Sequence, residues 1–165
     1  ENFTFLTRNS GLLLHIMSGI LALSLGPFQF IKRIRSQYLN IHRITGRVYV
    51  ISVLVGSLAA FYLAATSSSG PFAYQVGLGG LAFVWISSTV MAYIFIRKGN
   101  ITQHREWMIR SYVVTCGFTT FRLVYDLMAT YNISTFPERA TVVSWACWAF
   151  PLFITEMILQ SRKKA

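Results

Sequence analysis

Residues 42–66 read HRITGRVYVISVLVGSLAAFYLAAT: a His-Arg pair, a further arginine at Arg47, then a run from Val48 to Thr66 without a single charge. A helix needs about 20 apolar residues to cross a hydrocarbon core of ~30 Å. This run therefore reads as a membrane-spanning helix reached from a basic edge. The pattern recurs downstream, where His104-Arg105-Glu106-Trp107-Met108-Ile109-Arg110-Ser111-Tyr112 leads into a second long apolar stretch.

Composition agrees with that reading. The 165 residues are 54% hydrophobic and only 12% charged, with a mean hydropathy of +0.51, too apolar for a soluble domain of this length. The expected class is an all-α integral membrane protein, a single transmembrane domain over residues 1–165, with spans at about 11–31, 48–66, 76–96, 109–129 and 140–160. A net charge of +10 would suit nucleic acid, but its distribution excludes that class. Twelve of the fifteen Lys and Arg fall in the connections after the first and third spans and in the tail that carries Arg162, Lys163 and Lys164. By the positive-inside rule this places the N terminus outside and the C terminus inside, with the inner membrane of a bacterium as the expected location. The lack of an initiator Met at Glu1 leads us to expect an upstream segment.

The turn chemistry at 66–71 and 132–137 joins antiparallel helices, so the second and third spans form one hairpin and the fourth and fifth another. Each hairpin is preceded by a His-Arg copy, which predicts a parallel repeat about an axis along the membrane normal. Pro27 and Pro151 kink the first and last helices and need neighbours to satisfy the carbonyls they free. Small residues such as Gly19, Gly26, Gly56 and Gly77 allow close helix packing. Cys116 and Cys147 fall within helices and read as buried free thiols.

Polar groups within spans are costly and mark sites. Toward the outer side stand His15, Arg122 and Asp126, with Tyr62 and Tyr125 at compatible depths. They line a polar pocket open to the outside, or else Arg122 and Asp126, four residues apart, form an ion pair and His15 bonds a backbone carbonyl. Toward the inner side stand His42, Arg43, Arg47, His104, Arg105 and Arg110, with Gln29 nearby and Glu156 placed to neutralise part of the charge. Arginines at that depth also hold acidic lipid headgroups.

Haem b is a candidate ligand, since paired imidazoles in a helical bundle hold it. His15, however, lies about 16 residues, or ~24 Å, from the inner end of its helix, too far to share one haem with His42 or His104. A single axial bond from His15, with Arg122 toward a propionate, is the alternative. His15, His42 and His104 are also metal-ligand types, but none has a partner at the helical i,i+4 spacing. No Ser-His-Asp order, phosphate-binding Gly loop or CxxC motif names a reaction.

Gly26-Pro27-Phe28-Gln29-Phe30 with Arg33 and Arg35, the two His-Arg copies through Tyr49 and Tyr112, Trp85 and Arg122 together resemble the membrane-protein family known as domain of unknown function 2306. The resemblance implies a multi-helix membrane protein with a shared polar framework and no particular reaction. The function expected is an integral membrane binding or redox-accessory protein holding haem or a quinone-like ligand in a polar intramembrane pocket. The other readings are a non-catalytic subunit of a larger membrane complex, with partner subunits or further copies of itself, and a small proton-coupled carrier using Arg122 and Asp126.

Overall fold

The computed structural model describes residues 2–66 and 70–163, with side chains from residue 8 onward. Lys164 and the serines of the expected turn at 67–69 lie outside the described residues. Within them the chain is all helix and turn: α1 (Asn2–Phe30), α2 (Lys32–Gln37), α3 (Leu39–Thr66), α4 (Phe72–Arg97), α5 (Ile101–Thr115), α6 (Gly117–Thr130) and α7 (Phe136–Ser161). Four of these are long and apolar enough to cross a membrane: Arg8–Phe30 within α1, then α3, α4 and α7.

The stretch 109–129, expected as one continuous span, is divided between two helices. α5 ends at Thr115 and α6 starts at Gly117, with Cys116 between them still in the right-handed helical region, so α5 has 15 residues and α6 has 14, each too short to cross alone. Hydropathy runs on smoothly through this point, but local chemistry does not. Thr115 turns its hydroxyl back onto the Ser111 carbonyl at 2.9 Å, and Gly117 follows with no side chain to stiffen the backbone; back-bonding hydroxyls and glycines are usual causes of helix bends. Gly117 is buried, and a β-carbon there would lie 3.3 Å from Leu81 and 3.7 Å from the Cys147 carbonyl. The break thus seats the start of α6 against α4 and α7.

The helices extend past the expected apolar limits because regular hydrogen bonding does not stop at the hydrocarbon edge. α3 starts at Leu39, so His42, Arg43 and Arg47 sit on its first turns. α7 starts behind a capping box in which Thr135 and Glu138 satisfy each other's backbone.

α1 lies on α3, α3 on α4, and α4 on both α5 and α7, while α7 also carries α6. The core forms where α1, α3, α4 and α5 meet, around Ala22, Tyr49, Val53, Trp85, Ala92, Met108 and Val114. Glycines on α3 and α4 permit close approaches. At Gly56 a β-carbon would stand 2.7 Å from the Ser18 hydroxyl and 3.1 Å from the Trp85 ring, and at Gly77 one would stand only 2.3 Å from the Ser144 hydroxyl.

Candidate functional site

Five side chains from α3, α4 and α5 form a buried hydrogen-bonded cluster. The Tyr49 hydroxyl lies 2.8 Å from Ser111 Oγ and 2.9 Å from Thr115 Oγ1. Trp85 Nε1 donates to Thr115 Oγ1 at 2.8 Å, and Thr89 Oγ1 lies 2.6 Å from Ser111 Oγ. Thr115 and Thr89 spend their own protons on the carbonyls of Ser111 and Trp85. Trp85, Tyr49 and Ser111 therefore supply the protons between helices. Every polar group here has a partner, so the cluster holds helices together and offers nothing to a ligand.

A different arrangement stands between α5 and α7. Arg110, 8% exposed, directs Nε and Nη2 to one Glu156 oxygen at 2.8 and 2.6 Å. The other Glu156 oxygen accepts from Gln160. Arg110 Nη1 is buried without a hydrogen bond and lies 3.7 Å from Glu106 Oε2, which pairs with Lys163 at 2.9 Å. The guanidinium also lies over the Trp107 ring, 4.7 Å from its centroid, a favourable cation–π placement. Beside these groups runs an open cleft of about 410 Å³, bounded by Trp107 and Arg110 of α5 and by Trp148, Ala149, Leu152, Phe153 and Glu156 of α7. Two cations and two carboxylates meet here, so the polar end is electrically balanced while the walls are aromatic and aliphatic.

The residues expected at the outer side fall into two groups. His15 sits between α1 and α3, its Nδ1 3.0 Å from the Gly56 carbonyl and its ring edge-on to Trp85 at 6.4 Å. Tyr62 belongs to the same interface, packed 3.1 Å from where a Gly11 β-carbon would be. Arg122, Asp126 and Tyr125 are on α6, whose main neighbour is α7. Arg122 Nε pairs with Asp126 at 3.0 Å, with 69% and 53% of the side chains exposed. Tyr125 stacks on Phe121 and lies under Arg139.

At the opposite end of the bundle the two His-Arg copies meet. His104 Nδ1 bonds the Ala92 carbonyl at 2.8 Å, whereas His42 Nδ1 is buried without a partner. Gln29 reaches Thr45 at 2.8 Å, and Arg43, Arg47 and Arg105 are exposed. Arg110 and Glu156 are the members of this set that border the cleft. Trp107 and Trp148 line it as well, Glu106 and Lys163 extend the ion pairing beside Arg110, and none of these four is among the site residues expected from sequence. The spacing of Glu106 and Arg110, one helical turn apart, was the available signal. Among the described residues no three His, Cys, Asp or Glu gather as a metal-ligand set, and Cys116 and Cys147 are free thiols.

An apolar helical bundle with few charges and four helices long enough to cross a membrane defines an integral membrane protein. The chain belongs to the family described as predicted membrane protein (DUF2306), which matches it over residues 12–159. No curated protein and no solved structure matches it.

Proposed function

We propose that this is an integral membrane binding protein whose ligand is a flat, neutral, apolar molecule with carbonyl or hydroxyl groups, a quinone-like compound, held in the α5–α7 cleft. The observation that carries this reading is the Arg110–Glu156 pair lining an aromatic cleft, with Glu106 and Lys163 balancing its charge from outside the wall. A carbonyl accepts from the guanidinium and a hydroxyl donates to Glu156 without separating charge. An anionic head would have to displace Glu156. Phe153, 65% exposed on the lipid-facing side of α7, offers a path for an apolar tail. The cleft wall contains no imidazole, so it supports a quinone-like ligand better than haem.

In this reading α5 and α6 together make a fourth crossing and α7 a fifth. The basic connections and the end of α7 face the cytoplasm of a bacterial inner membrane, with exposed Arg43, Arg47 and Arg105 at acidic headgroups. The packing of α3 on α4 and of α5 and α6 on α7 supports two related hairpins. Reporter fusions after α7 and in the 131–135 connection test the orientation, and the reading requires opposite sides for the two.

The ligand test is titration of the purified protein with decylubiquinone, read by tryptophan fluorescence. Saturable quenching is expected, with Ala149→Trp, which fills the cleft, weakening affinity at least tenfold. Quenching that does not saturate, or that Ala149→Trp leaves unchanged, refutes the cleft as the site.

A further inference from the structure

Exposure along α6 repeats every four residues: 118 and 119, 122 and 123, 126 and 127 are exposed, and the intervening pairs 120–121, 124–125 and 128–129 are half-buried toward the bundle. The outward stripe is Phe118, Arg122, Leu123, Asp126 and Leu127. Its apolar members are 69%, 66% and 54% exposed. Its ion pair is more than half exposed on both sides. Charged residues in membrane segments almost always face a bundle interior or a water-filled cavity. Here one cation and one anion face outward, with bulky apolar side chains on either side.

We propose that a second copy of the chain covers this stripe across a twofold axis. The assignment rests on reading α5 and α6 together as a membrane crossing, and it does not depend on the quinone-like ligand. A twofold interface is isologous, so a surface that meets itself must be self-complementary. One arginine and one aspartate a single turn apart satisfy that condition: Arg122 of each copy reaches Asp126 of the other, and two intrahelical pairs become two reciprocal interhelical ones. Phe118, Leu123 and Leu127 then pack around the pairs and exclude lipid and water, which strengthens them relative to an exposed surface pair. A partner of unrelated sequence would have to supply its own anion and cation in matching order, whereas a second copy has both in place.

The experiment uses two differently tagged full-length forms, Arg122→Asp and Asp126→Arg. The first carries two acids on the stripe and the second two bases, so each repels itself and complements the other. In native mass spectrometry from detergent or nanodiscs, wild type is expected as a dimer. Each variant alone should show at least a tenfold loss of dimer, and the co-expressed pair should recover it as the mixed species. Leu123→Ala with Leu127→Ala, on side chains that leave the bundle interior untouched, should also weaken the dimer and carries the test where a charge variant does not fold. A wild-type protein that stays monomeric at every concentration overturns the proposal, as does a mixed pair that associates no better than either variant alone.

Discussion

The hydroxyl of Tyr112 donates to the carbonyl of Leu23 at 3.3 Å, the carbonyl that Pro27, four residues on, leaves without its helical partner. The residue that makes this contact fit is Gly26, where a β-carbon would fall 2.1 Å from the Tyr112 ring. Gly26 and Pro27 together create a free acceptor and the space through which α5 reaches it. Tyr112→Phe should remove the donor and cost about 1 kcal/mol, seen as a lower Tm in detergent.

Gly26→Ala should cost more, roughly 1–3 kcal/mol, because the new methyl overlaps a ring. Tyr112→Ala made with Gly26→Ala should show strong coupling, the pair losing much less than the sum of the two single changes. Additive losses in a double-mutant cycle would remove Tyr112 as the reason for the glycine.

The same reasoning separates glycines that look alike in the sequence. Gly77→Ala drives a methyl into Ser144 and should lower Tm clearly. At Gly79 nothing lies within 4 Å of a built β-carbon, so Gly79→Ala should be neutral or stabilise by up to about 1 kcal/mol through helix propensity. Thermal melts of the two variants side by side decide the matter.

Tyr49→Phe removes the one group that joins Ser111 and Thr115 to α3. Interhelical hydrogen bonds in membrane proteins average about 0.6 kcal/mol, and a buried hydroxyl left short of a partner adds to that. A loss of about 1–2 kcal/mol is expected, measured by denaturant unfolding, with no change in quinone quenching, since Tyr49 lies outside the cleft.

Alkylation should distinguish the two thiols. Cys147 is 1% exposed and Cys116 is partly exposed. Native protein should therefore take up reagent at Cys116 first and at Cys147 only on unfolding. Equal native rates, followed by mass spectrometry, would contradict the packing of α7 against α4.

The sequence by itself determined the class of the protein and the course of most of its helices. Long apolar runs bounded by basic residues admit few other structures in a membrane, where each backbone group must be satisfied within its own segment. It also announced that Pro27 would need a neighbour, and it offered the pairing of Arg122 with Asp126, one turn apart, as one of two alternatives. These are local relations, fixed by covalent geometry and helical pitch. The tertiary structure decided the rest. The break at Cys116 depends on Gly117 fitting against Leu81 and the Cys147 carbonyl, contacts that hydropathy does not encode. His15 and Arg122 were matched by depth alone, but depth leaves the rotation of each helix free, and α1 packs on α3 while α6 packs on α7. Arg110 and Glu156 stand 46 residues apart, and only the packing of α5 on α7 brings them together at the end of the cleft.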